Sequence, residues 1–272
     1  MLLVDAHVHI YDCFDLEKYF DSAYSNFKSA AEKLGHADDF TGILLLAESS
    51  QDSWFQHLWN YADGIELPYG RTSRNWKFYH TDENCSLNAI SNESKSLILI
   101  AGRQIVSSEG LEALAIGTTN TFEDGETIYD VIEKINDNDS LPILPWGVGK
   151  WFGNRGRIIE DIIDTNYATV YLGDNKNRPN FWPEPRLLRF AKQRGIGIFP
   201  GSDPLPFAAE LCKVGSFGFS LNTRLFDERP TTALKNWIFN QTIQYQPYGH
   251  LERCFPFFKN QLALRLKSRF YN

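Results

Sequence analysis

The chain has 272 residues, 43% hydrophobic and 22% charged, with a net charge of −7. That is enough chain for a sizeable core, and its charge and hydropathy are too ordinary for global disorder. No apolar run reaches the roughly eighteen residues of a membrane span, and the acidic balance gives no general attraction to nucleic acid or anionic lipid, so neither is expected as a partner.

Leu2 to Val4 is a short unbroken apolar run, expected to be a strand buried on both faces. From Leu16 the period changes: Leu16, Tyr19, Phe20, Ala23, Phe27, Ala30, Ala31 and Leu34 fall on one helical face, and Gly35 supplies a stop. Ile43 to Leu46 predicts a second buried strand, and Trp54 to Tyr61 a second helix. From about 66 to 94 the rhythm breaks, and Trp76–Tyr79 and Ser86–Ile90 are expected to form a hairpin insertion. Leu97–Ile100 restores the buried strand, with Leu114–Ile116 close behind. Ile128, Val131, Ile132 and Ile135 predict a helix capped by Asp124. Further strands are expected at Ile143–Leu144, Thr169–Leu172 and Ile196–Phe199, with helices at about Arg157–Asp164 and Glu184–Arg194 between them. From about 207 to 272 the pattern is less regular and reads as a C-terminal extension. Its last helix, about Phe257–Arg269, could pack on the body or mediate a homo-oligomer.

Six or seven buried strands alternating with helices predict one α/β domain over residues 1–272, built as a closed (β/α)7–8 TIM-like barrel, with a doubly wound open sheet as the second choice. The four cysteines are far apart and lack CxxC spacing, which argues against a thiolate zinc site or a disulfide scaffold. No secretory pattern is visible at Met1–Asp5, so a cytoplasmic location is expected. Aromatic residues make up 14% of the chain, including seven Trp. They fit either a bulky core or a pocket lined with flat side chains.

The strongest chemical signal is Asp5-Ala6-His7-Val8-His9 at the end of the first strand. Residues i and i+2 of a strand share a face, so His7 and His9 can offer two nitrogens to one metal, and Asp5 could orient an imidazole. This segment resembles the opening motif of metal-dependent hydrolases on (β/α) barrels, the amidohydrolases and the PHP phosphoesterases. Leu97 to Gln104, followed by Gly110 to Gly117, is similar to the PHP pattern of a strand, Gly-x-Glu, Gly-His and a return strand. Ile198-Phe199-Pro200-Gly201-Ser202-Asp203 looks like the late Gly-Ser-Asp-x-His motif. Several family ligands are replaced: Gln104 stands for a glutamate, Glu112 for a histidine, Ala47-Glu48-Ser49 for Thr-Asp-His, Leu144-Pro145-Trp146 for His-Pro, and no histidine follows Asp203.

The resemblance therefore implies a PHP-type barrel holding one divalent ion rather than a cluster, on His7, His9 and Asp203. Zinc, manganese or iron would suit such ligands. Asp203, Glu48 or Glu112 would serve as catalytic carboxylates. Lys150 and Arg155, in the glycine-rich loop from Gly147 to Arg157, could receive a small anionic substrate, and Trp151 could stack on a ring; a flexible loop with solvated charges is the alternative. Gln104 and Arg178 complete the substrate-binding candidates, although the Gly173–Arg178 segment, with Asp174 and Lys176, also reads as an ordinary turn. His36, His57, His80 and His250 receive no role. The expected function is a metal-dependent hydrolase of a phosphoester or similar anionic molecule. The alternatives are a barrel whose degenerate site makes it a binding or interaction protein, and a single-metal amidohydrolase-like enzyme.

Overall fold

The computed structural model describes residues 1–37, 39–64, 75–224, 228–240 and 244–270, and the side chains of all but the last four of these. In chain order the elements are β1 (Leu2–Val8), α1 (Leu16–Lys33), β2 (Thr41–Leu46), α2 (Trp54–Asn60), β3 (Trp76–His80), β4 (Ser86–Ser91), β5 (Ser96–Ile100), β6 (Gly102–Val106) and β7 (Glu112–Ile116). There follow α3 (Ile128–Asp137), β8 (Leu141–Pro145), α4 (Asn154–Thr165), β9 (Tyr171–Asn175), α5 (Arg186–Gln193), β10 (Ile198–Gly201), β11 (Phe217–Leu221), α6 (Pro230–Phe239), β12 (Tyr245–Gly249) and α7 (Cys254–Phe270).

The strands form two open sheets. One has seven strands in the order β12-β11-β1-β2-β5-β4-β3, the other five in the order β10-β9-β8-β7-β6. The closed (β/α) barrel expected from the alternation of elements is therefore wrong. Parallel neighbours need a crossover of a dozen or more residues. Only Ala101 separates β5 from β6, so at that residue the chain leaves the first sheet and starts the second. β6 and β7 pair as an antiparallel hairpin, and β7 pairs antiparallel with β8. Among the described strands, only β1-β2-β5 and β8-β9-β10 are parallel runs. The segment expected to be an irregular extension supplies two strands: β11 lies antiparallel to β1, and β12 to β11. β3 and β4 are the antiparallel edge of the larger sheet, joined to it through β5. The start of the expected insertion, residues 66–74, lies outside the described residues.

Three apolar layers hold this arrangement. Tyr19, Phe20 and Phe27 of α1, with Leu58 of α2, pack on one face of the larger sheet. Val4, Ile43 and Ile100 of that sheet meet Leu114, Ile143 and Phe199 of the smaller one, and Leu234 and Ile238 of α6 join them. Ile132, Ile159 and Leu188 of α3, α4 and α5 cover the smaller sheet's outer face. Each such fully buried side chain contributes about 1.5–3 kcal/mol. Caps come partly from unexpected residues. α3 is capped by Thr127, whose side chain accepts from Asp130 N–H, while Asp124 accepts Val106 N–H at 2.7 Å instead. Glu83 caps α6 across the chain, accepting from Thr231 N–H at 2.7 Å and Thr232 N–H at 2.8 Å. Among the described residues, no helix is long and apolar enough to cross a membrane.

Two seams between the sheets, each a close backbone approach, are made by glycines. At Gly102, Glu48 N–H donates to Gly102 O at 3.1 Å and Gln104 N–H to Glu48 O at 2.8 Å; a Cβ there would lie 2.4 Å from Leu46 O. At Gly201, a Cβ would lie 2.5 Å from both Cβ and N of His7, and Asp203 N–H donates to His7 O at 2.8 Å. Both seams sit at the carboxyl ends of β1 and β2, where parallel sheets place their ligands.

Candidate metal centre

At the Gly201 seam, β1 slips out of register with β2 between Asp5 and Val8. His7 and His9 nevertheless keep to one side, with their Nε2 atoms 3.0 Å apart. Both are buried. Asp203 Oδ1 stands 3.7 Å from His7 Nε2 and 3.4 Å from His9 Nε2, and Gln104 Oε1 lies 3.3 Å from His7 Nε2. Tyr11 stacks on the His9 ring, centroids 5.3 Å apart.

Asp203 is aimed by an unusual backbone. Its φ is +42°, a left-handed conformation that costs a non-glycine residue about 1 kcal/mol or more. The surroundings hold it there. Besides its own N–H bond to His7, its carbonyl accepts from Asn177 Nδ2 at 2.6 Å, and Asn175 Nδ2 donates to Oδ2. Asn177 N–H in turn fixes Asn175 through Oδ1 at 2.8 Å. Oδ2 is thus occupied and Oδ1 is left facing the imidazoles.

The electrostatics suit a cation. Burial works to raise the Asp203 carboxyl, but His7, His9 and Asn175 outweigh it and hold the group well below the usual carboxylate range. Burial lowers His7, against the opposing pull of Asp203, and His9 adds to the lowering; burial thus favours the neutral imidazole, the form a metal takes. Two imidazole nitrogens 3.0 Å apart share at most one proton between them. The ligand atoms of His7, His9 and Asp203 all lie within 4.8 Å of one another, so this buried group could hold a metal ion. Asp5 does not orient an imidazole. Its fully buried carboxylate accepts from the N–H groups of Ser202 at 2.7 Å, Gly215 at 2.8 Å and His7 at 3.4 Å, tying β1 to the segments after β10. Burial pushes its carboxyl up to about 7 despite these bonds.

The remaining sequence candidates divide. Gln104 faces His7, and Glu112, paired with Lys150, lies near enough for its charge to act on His7. Glu48 is turned to other work: Oε1 accepts Phe55 N–H at 2.6 Å in the first turn of α2, and Oε2 faces Arg103 Nη1 at 3.3 Å. Arg155 braces its own loop through Gly149 O at 3.0 Å. Arg178 makes a two-pronged pair with Asp174 at 2.9 and 2.8 Å, and Lys176 donates to His250 O at 2.9 Å. Trp151 is buried in the outer apolar layer. Sequence reasoning did not single out Tyr11, Asn175 or Asn177. Tyr11 was within reach, since it continues the alternation of His7 and His9; the two asparagines lie in a segment that turn chemistry alone accounts for.

No protein-family model matches the chain, and no curated protein matches it. Among solved structures it is similar to PsfC from Pseudomonas syringae PB-5123, with 11% sequence identity and a TM-score of 0.47 over 88% of this chain and 98% of that one. The resemblance to PHP phosphoesterases and amidohydrolases, drawn from three motif segments, is corrected by the fold: it implied a closed barrel, and the chain has two open mixed sheets of seven and five strands.

Proposed function

We propose that this protein is a single-metal hydrolase of a small anionic substrate, with a phosphoester as the first candidate. The observation that carries the reading is the convergence of His7, His9 and Asp203 on one buried site. Two imidazole nitrogens and a carboxylate oxygen would suit zinc, manganese or iron. A divalent ion held there supplies Lewis acidity and brings the pKa of water toward neutrality.

The chain's own groups supply the rest. His7 and His9 would hold the ion through Nε2, and Asn175 keeps Asp203 Oδ1 turned toward them. Gln104, beside His7, offers amide N–H groups to a substrate oxygen. Lys150, whose side chain is 37% exposed and pairs with Glu112, would meet the anion of the substrate. Glu112, its partner, lies near enough for its charge to act on His7 and would take a proton from water.

The test is a phosphomonoester and phosphodiester panel run beside amides and lactones, on chelator-stripped protein with Zn²⁺, Mn²⁺ or Fe²⁺ restored. Metal-dependent phosphoester turnover that His9→Ala abolishes is the expected result. Turnover of a lactone or amide alone would overturn the substrate class; no turnover with a bound ion would overturn the hydrolase reading.

A further inference from the structure

Outside the smaller sheet, between the starts of α4 and α5, lies a cavity of about 420 Å³ that none of His7, His9 or Asp203 lines. Its volume falls within the range of about 300–1,000 Å³ typical of small-molecule sites. Three of the chain's seven tryptophans, Trp146, Trp151 and Trp182, form its walls with Phe152. The Trp146 and Trp182 rings meet edge-on with centroids 6.3 Å apart. Phe152 lies nearly parallel to Trp182 at 6.2 Å, yet is 59% exposed. A large ring facing water at the mouth of an aromatic cavity is the arrangement that a second flat ring would cover.

The charge around this cavity opposes that of the chain. Of its five charged lining residues, Glu160 pairs with Arg186 across the two helices, and Glu184 with Lys192. Arg157 and Arg189 remain, with no ion pair among the described residues. The first turns of α4 and α5 add to this, since Gly153 and Pro185 provide no side-chain cap and open helix N-termini favour anions. A neutral ring would use only the walls, and an inorganic anion only the arginines.

We propose that this cavity binds a planar aromatic molecule carrying an anionic group, the ring against Trp182 and Phe152 and the anion at Arg157 and Arg189. The site is separate from the metal centre, and the proposal does not depend on the hydrolase reading. Lys150 and Trp151, neighbours in one loop, face the two places respectively: Lys150 pairs with Glu112, and Trp151 lines the cavity.

The experiment titrates the full chain with AMP and with indole-3-acetate, following tryptophan fluorescence and calorimetry. Adenosine, indole and inorganic phosphate serve as partial probes. At least one of the two anionic rings binds with a Kd below about 1 mM, and its uncharged counterpart and phosphate bind at least about tenfold more weakly; which of the two binds separates phosphate from carboxylate. Arg157→Ala with Arg189→Ala, both at exposed positions, weakens binding at least about tenfold at an unchanged melting temperature. Trp182→Leu removes the fluorescence response, and His7→Ala leaves binding intact. The proposal is overturned if neither anionic ring binds, if neutral rings bind equally well, or if the double arginine variant binds like the wild type. Loss of binding in His7→Ala would also overturn it, by placing the ligand at the metal centre.

Discussion

Replacing Gly201 by alanine puts a methyl carbon where His7 already stands. The added Cβ would lie 2.5 Å from Cβ and N of His7 and 2.9 Å from its Cα, whereas carbon atoms rest about 3.5–4.0 Å apart. The neighbour cannot swing away, because it is backbone. β1 is paired on one side with β2 and on the other with β11, and Asp203 N–H holds His7 O at 2.8 Å. Overpacking costs about 1–3 kcal/mol, and a backbone clash belongs at the upper end. For a chain of this size, about 3 kcal/mol lowers Tm by about 6–12 °C. The seam also sets Asp203 against the two imidazoles, so Zn²⁺ affinity should fall at least about tenfold, as when a supporting contact is lost. Circular-dichroism melts and Zn²⁺ competition with a chromophoric chelator read the two effects. Gly197→Ala is the control, because its Cβ would meet only side-chain atoms, the nearest 3.1 Å away. If Gly201→Ala melts with the wild type and binds Zn²⁺ equally well, the close approach of β10 to β1 is wrong.

Three other outcomes are expected. Glu83→Gln should cost about 1–2 kcal/mol at pH 7, because one amide oxygen cannot replace a carboxylate that caps α6. Burial alone would raise Glu83, but the donors Thr232 and Thr231 hold it below its ordinary value of 4.5. Its stabilisation is therefore complete above that value and lost as pH falls through the folded one. Urea unfolding at pH 7 and pH 3.5 should show the gap between variant and wild type narrowing in acid, and a constant gap would contradict the assignment. Asn175→Ala frees Asp203 Oδ2 and should weaken Zn²⁺ binding by about tenfold or more, read by calorimetry; unchanged affinity would mean Asn175 does not position Asp203. Lys150→Ala should raise KM for an anionic substrate with a smaller effect on kcat, and steady-state kinetics showing an unchanged KM would remove Lys150 from substrate binding.

Periodicity made the helices legible. The faces of α1 and α3 are buried at the positions their 3.6-residue spacing marks, from Leu16 to Ala31 and from Ile128 to Ile135. The apolar runs of β1, β2 and β5 were legible as strands because an unbroken run suits a strand buried on both faces. Strand direction and sheet membership were not legible, because an apolar run looks alike in either direction. The change of sheet at Ala101 turns on a single residue. β11 and β12 were hidden by Gly218 and Pro247, poor strand formers; Gly218 is needed because a Cβ there would lie 2.0 Å from Val4 O, and Pro247 is tolerated because β12 is an edge. At the site, His7 and His9 were visible in their spacing, and Asp203 through a motif match whose family did not hold. The fates of Glu48 and Arg155 depend on a long-range partner, Arg103, and on a loop carbonyl, Gly149 O, which spacing does not encode.

The central claim is that His7, His9 and Asp203 hold one metal ion, and elemental analysis of protein purified without added metal tests it most directly. About one equivalent of zinc, manganese or iron per chain, falling below about a tenth of an equivalent in His7→Ala and in Asp203→Ala, is the predicted result. Metal below about a tenth of an equivalent in the wild type, with no uptake when Zn²⁺, Mn²⁺ or Fe²⁺ is supplied, would contradict it.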